Sequence, residues 1–142
     1  FETIEEGKSI PKVFSKLDGN EVILFDSVTA IVQNNIFSGE EPDLNFEPER
    51  TANDFLELGK RVKHLVIVSD YVFSDALQYD DLTDFFREKL GEVHRIIVAE
   101  ADVVLECAFS NIKEWKNAEK LDLSEIKNQY YKVYDHLKYG DI

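Results

Sequence analysis

Hydrophobic and polar positions alternate in blocks along the chain, and the blocks predict its elements. The most informative stretch is Glu21 to Phe37, EVILFDSVTAIVQNNIF. Val22 to Phe25 is an unbroken apolar run, which predicts a strand buried on both faces. Asp26 ends the run. Ser27 is a favourable helix cap, and Val28, Ile31, Val32 and Phe37 follow at helical spacing. The reading is strand, sharp turn, helix, with a carboxylate at the carboxyl end of the strand, where open α/β sheets bind ligands. Asp26 either helps to cap the helix or serves such a site.

The same logic extends in both directions. FETIEE at the start predicts a short strand or extended lead-in, and Ser9 and Pro11 signal a helix with Val13, Phe14 and Leu17 on one side. Asp18-Gly19-Asn20 is a turn. Residues 38–48 form a loop with prolines and acids; Glu40, Glu41 and Asp43 read as solvated rather than cation-binding. A helix is expected over Glu49–Val62, with Phe55, Leu56 and Leu58 in the core and Gly59 weakening its last turn. His64 to Ser69, HLVIVS, predicts a second buried strand, and again polar residues, Ser69 and Asp70, follow it.

Residues 71–79 predict loop. From Asp80 or Asp81 a helix is expected to run to about Glu100, with Leu82, Phe85, Phe86, Leu90, Val93, Ile96 and Ile97 near period 3.6 and acids in its first turn. Asp102 to Phe109 predicts a third strand, parallel to the other two, and Glu106 places it at an edge or end. Residues 110–122 read as short helix or turn. A last helix is expected over Leu123–Lys138, carrying an apolar stripe that includes Tyr130 and Tyr134. Helices alternating with apolar strands imply an α/β fold with a parallel sheet.

Composition narrows the partners. The chain has 142 residues, 44% of them hydrophobic, which suits one domain with a real core. Sixteen basic residues against 29 acidic ones give a formal charge of -13, a surface that repels phosphate backbones, so no nucleic-acid partner is expected. No apolar run reaches the roughly 20 residues that span a bilayer, so no membrane partner is expected either. The single cysteine, Cys107, fits a reducing cytoplasm and reads as an inert buried thiol.

Several chemistries lack their motifs. Residues 1–142 contain no G-x-x-x-x-G-K-S/T loop, no G-x-G-x-x-G and no G-x-S-x-G. His64, His94 and His136 are scattered, without the spacing of a zinc site. Asp26-Ser27-Val28-Thr29 lacks the second acid of the D-x-D-x-T loop of haloacid-dehalogenase-type phosphatases.

Taken together, VILFDSVTAIVQNNIF, LVIVSDYV, FFREKLGEVHR and AEADVVLE resemble the bifunctional adenosylcobinamide kinase/adenosylcobinamide-phosphate guanylyltransferase family of cobalamin biosynthesis. In that family a strand ends in Asp or Glu, followed by a small residue, an apolar residue and Thr, with an Asn farther along the helix. Asp26, Ser27, Val28, Thr29 and Asn34 fit this pattern. Phe1 to Glu5 is similar to the family's W-x-T-x-E segment. Phe86, Arg87, Glu88 and Gly91 echo its F-R-D-x-x-G-x-x-N-Q helix, with His94 in place of Asn, and Ala101, Asp102 and Val104 echo its A-D-x-V segment. The resemblance covers about residues 1–116, with 117–142 as a C-terminal helical extension.

The resemblance implies a parallel-sheet, P-loop-NTPase-like three-layer fold, without the P-loop strand in residues 1–142. It implies nucleotide-dependent phosphoryl and guanylyl transfer, with Mg²⁺ and ATP or GTP as cofactors and a corrinoid substrate. Asp26 would be the metal ligand, and Asp26, Thr29 and Asn34 would bind nucleotide. Asp70 and Arg87 would bind substrate, Arg87 either touching it or pairing structurally. The family's P-loop and its GMP-accepting histidine would precede Phe1, and because the sequence opens on Phe rather than Met an upstream segment is expected. In the stretch matching the family's N-E-V-G-x-G-I-V-P loop, Val72 is kept, whereas Phe73, Asp75 and Gln78 replace two glycines and the proline. The alternative is a non-catalytic binding or assembly module of the same fold. Family members form oligomers, so a homo-oligomer is expected. With the P-loop strand absent, the open edge of the Val22–Phe25 strand points the same way.

Overall fold

The computed structural model describes residues 2–117 apart from 74, 76 and 110, together with Glu119. The helix expected over 123–138, with Tyr130 and Tyr134, lies outside the described residues. The chain divides into two compact units, Phe1–Glu100 and Ala101–Ile142.

In the first unit a 3-10 helix, Ile10–Lys16, precedes β1 (Val22–Asp26), α1 (Val28–Phe37), α2 (Pro48–Arg61), β2 (His64–Val68) and α3 (Asp81–Glu100). The segment at Ser9 and Pro11 thus winds more tightly than the α-helix its signals suggest. Pro11 donates no backbone N–H, and 3-10 geometry is used in short pieces, of which this seven-residue one is a long example. Ser27 caps α1, its hydroxyl oxygen accepting from the Ala30 N–H at 3.2 Å. Pro48 opens α2, Glu49 lies in its first turn and Lys60 and Arg61 in its last, each complementing the helix dipole. Asp80 opens α3 by accepting from the backbone N–H groups of Leu82 and Thr83 and from the Thr83 hydroxyl. These bonds, the Thr83 N–H first, hold the Asp80 carboxyl below its ordinary range.

β1 and β2 pair in parallel, Val22 opposite His64 and Asp26 opposite Val68. Side chains alternate across a strand, and this in-register pairing sorts them cleanly. Ile23, Phe25, Leu65 and Ile67 pack on a core built from Ile10, α1, α2 and α3. Phe25 meets the fully buried Phe55 edge to face, ring centroids 4.7 Å apart. Val22, Leu24, Val66 and Val68 lie on the other face and are 39–65% exposed. Burial on both faces of these strands, expected from their unbroken apolar runs, is therefore corrected: the core covers one face, and the apolar residues of the other stand open.

In the second unit β3 (Val104–Ala108) pairs antiparallel with β4 (Asn111–Lys116), with a register irregularity between Val104 and Leu105. Two expectations are overturned here. The third apolar run forms a hairpin rather than a parallel neighbour of β1 and β2, and residues 111–116 are strand, not helix or turn. The left-handed Phe109 (φ 49°) stands at the reversal between the two strands. Glu106 faces across the hairpin, accepting from the Trp115 indole N–H at 2.8 Å. Cys107 is exposed, not buried. The result is a mixed α/β protein with a small parallel sheet and helices on one of its faces. No described helix is long and apolar enough to cross a membrane.

Candidate functional site

The carboxyl ends of β1 and β2 lie side by side because the strands are parallel and in register. Asp26 is the last residue of β1 and is exposed. Ser27 turns the chain into α1, which puts Thr29 in the first helical turn. Ser69 and Asp70 follow Val68, the last residue of β2. The two strand ends are joined by hydrogen bonds. The Asp70 N–H donates to Thr29 Oγ1 at 3.0 Å, and Thr29 Oγ1 lies 3.2 Å from Ser69 Oγ. Ser69 Oγ in turn lies 2.6 Å from His94 Nε2, on α3. Asp26, Thr29 and Asp70 thus share one end of the sheet.

Asn34 is not brought to that end. Five residues beyond Thr29 it is about 7.5 Å farther along α1 and about 140° around it. Its Nδ2 donates to the Gly7 carbonyl at 2.9 Å, while Asn35 Nδ2 donates to the Lys8 carbonyl at 3.0 Å. These two amides pin the N-terminal segment to α1. Gly7 sits close beneath, since a Cβ there would stand 3.2 Å from Asn34 Nδ2.

Arg87 holds the loop after β2. Its Nε donates to the Val72 carbonyl at 3.2 Å, and its two terminal nitrogens reach Asp75 at 3.3 Å and Asp84 at 3.4 Å. The guanidinium also lies over the Tyr79 ring, 4.8 Å from its centroid. The Tyr79 hydroxyl donates to Asp75, and this bond raises the phenol above its ordinary value.

Beside the loop lies an open apolar cleft of about 330 Å³, lined by Tyr71, Phe73, Gly91, His94, Arg95 and Val98. Phe73 stands edge-on to both Tyr71 and His94, ring centroids 5.7 Å apart in each pair. Burial pushes the His94 imidazole below its ordinary value. Ser69 and His94 are the residues whose part sequence reading undervalued. The signal was present: His94 occupies a position on the apolar stripe of α3, one turn beyond Leu90 and next to Val93, where a polar residue needs a partner.

Among the described residues no group of three or more His, Cys, Asp or Glu side chains is placed to hold a metal ion unaided. Mg²⁺ does not require such a cage, because it is commonly bound by one or two carboxylates together with phosphate oxygens. A lone exposed carboxylate at a strand end fits that mode.

A parallel pair of strands with an acid at the carboxyl end of one, tied through hydroxyls to the next, places polar groups at the end of the sheet where open α/β sheets bind ligands. The family model described as cobinamide kinase / cobinamide phosphate guanyltransferase matches residues 1–110, and the chain belongs to that family. No curated protein and no solved structure matches the chain.

Proposed function

We propose that this chain carries the metal-binding side of a nucleotide-dependent phosphoryl- and guanylyl-transfer site acting on a corrinoid. Asp26 would hold Mg²⁺, which would supply positive charge against the nucleotide phosphates. Thr29 and Asp70 line the same strand ends, and Asn34 and Arg87 hold the flanking segments in place. The observation that carries the reading is the junction of the β1 and β2 ends at Thr29 and Asp70, in a chain of this family. The open apolar face bearing Val22, Leu24, Val66 and Val68 supports a three-layer, P-loop-like sheet in which further elements cover that face.

Phosphoryl transfer also needs backbone N–H groups and a lysine around the β- and γ-phosphates. Residues 1–142 contain no such loop. The polypeptide of residues 1–142 is therefore expected to bind GTP or ATP weakly, in a Mg²⁺-dependent manner, without turning over cobinamide. Titration with a fluorescent GTP analogue tests this. Asp26→Asn, at an exposed position, is expected to weaken Mg²⁺-dependent binding by about tenfold or more, as loss of a charged contact implies. Binding that ignores both Mg²⁺ and Asp26, or turnover by this polypeptide alone, overturns the reading.

A further inference from the structure

The three side chains that meet behind the strand ends form one continuous hydrogen-bonded line. It runs from His94 Nε2 to Ser69 Oγ (2.6 Å), to Thr29 Oγ1 (3.2 Å), and ends on the Asp70 backbone N–H (3.0 Å). They come from α3, the turn after β2 and the first turn of α1. Packing holds the histidine end: the imidazole is partly buried and stands edge-on against Phe73.

Each hydroxyl has one proton to donate and lone pairs to accept with. Thr29 Oγ1 already accepts from Asp70. If His94 Nε2 is bare, it accepts the Ser69 proton. Thr29 must then give its own proton to Ser69 Oγ and has none left for a ligand. If Nε2 carries a proton, it donates to Ser69 Oγ. Ser69 then donates to Thr29, and the Thr29 proton is free for a ligand. One proton on His94 thus sets the polarity of the whole line.

We propose that His94 is a positioning residue of this site, acting through Ser69 to set whether the Thr29 hydroxyl presents a donor to a bound phosphate. The proposal rests on the reading of Asp26 and Thr29 as a nucleotide site. A phosphate oxygen only accepts, so its binding selects the form with a proton on His94 Nε2. Of the side chains lining the cleft with His94, Arg95 is charged and Tyr71 titratable.

The test is nitrogen-15 NMR of the 142-residue chain, following the His94 ring nitrogens and the Asp70 amide. In the unaltered protein the Asp70 amide is expected to titrate with the same midpoint as His94. In Ser69→Ala, and again in Thr29→Val, His94 is expected to titrate while Asp70 no longer follows. Addition of GTP with Mg²⁺ is expected to move His94 Nε2 toward its protonated shift. His94→Gln, which can offer Ser69 a donor at every pH, is expected to keep its GTP affinity as the pH is raised through the His94 midpoint, whereas the unaltered protein is expected to lose about three- to tenfold. An Asp70 amide indifferent to His94, or one that follows it equally in Ser69→Ala, overturns the proposal. The NMR coupling is independent of the nucleotide reading: if Asp26→Asn leaves GTP binding untouched, that reading fails, while the coupling of His94 to Asp70 is judged on its own.

Discussion

Thr29 and Asp70, forty-one residues apart, are joined by a 3.0 Å hydrogen bond from the Asp70 N–H to the Thr29 hydroxyl oxygen. That bond fixes the start of α1 against the end of β2, and so fixes the distance between the two strand ends that carry the acids. Thr29→Val keeps the shape and removes the acceptor. It is expected to destabilise the protein by about 0.5–1.5 kcal/mol, the worth of an ordinary hydrogen bond, because Asp70 is exposed and water replaces the lost partner. Urea unfolding measures the change, and a loss above about 3 kcal/mol would mean that the bond is buried.

The core prediction concerns Phe55. Its side chain is fully buried, edge-on to Phe25, and joins α2 to β1. Phe55→Ala removes both the burial and the ring pair and is expected to cost about 3–5 kcal/mol. A denaturant midpoint that hardly moves would show that the ring is not central to the packing.

Gly59 gives a prediction of opposite sign. It sits near the end of α2, and a Cβ there would meet only Leu65 Cδ2, at an ordinary 3.7 Å. Glycine costs a helix about 0.5–1 kcal/mol relative to alanine. Gly59→Ala is therefore expected to raise stability by up to that amount. A fall in melting temperature would show that the glycine is needed for a reason of conformation.

Most of the first unit was legible from its sequence, because its signals are local. Ser27 with the apolar positions behind it marks α1, and the 3.6 period marks α3. What local signals do not carry is pairing. The run Val103–Cys107 looks like Val22–Phe25 in hydropathy, yet one pairs antiparallel with Asn111–Lys116 and the other parallel with His64–Val68. Nor does a continuous apolar run say how many of its faces a given chain covers. At the site, the polar residues after each strand pointed to Asp26 and Asp70. The link through Ser69 to His94 spans 25 residues and depends on how α3 is rotated against the sheet, which periodicity alone does not give.

His94 also sets a pH window for stability. Burial lowers its pKa in the folded protein below the ordinary value of about 6.5, so the unfolded chain takes up a proton more readily. Stability is then fully present above about pH 6.5 and falls as pH drops toward and through the folded pKa. Melting temperature measured from pH 7.5 to 5 is expected to decline more in the unaltered protein than in His94→Gln, which has no proton to gain there. Parallel declines in the two proteins would place the acid sensitivity elsewhere.

The last prediction concerns the open face of the parallel sheet. Val22 is 65% exposed, Leu24 58%, Val66 52% and Val68 39%, and all four project from adjacent, in-register strands. Among the described residues neither strand pairs with a third. Isolated apolar residues at a surface are common, but a contiguous apolar face bordered by unpaired strand edges is a surface that associates. The polypeptide of residues 1–142 is expected to self-associate at micromolar concentration through this face. Leu24 and Val66 are directly opposite each other, so Leu24→Lys combined with Val66→Glu places opposite charges across the pair while sparing the inward residues. That variant is expected to sediment as a 16.4 kDa monomer and to unfold at nearly the same denaturant concentration as the unaltered chain. A monomeric unaltered chain would show that the face is stable in water as it stands. Association that survives the double substitution would place the contact on another surface.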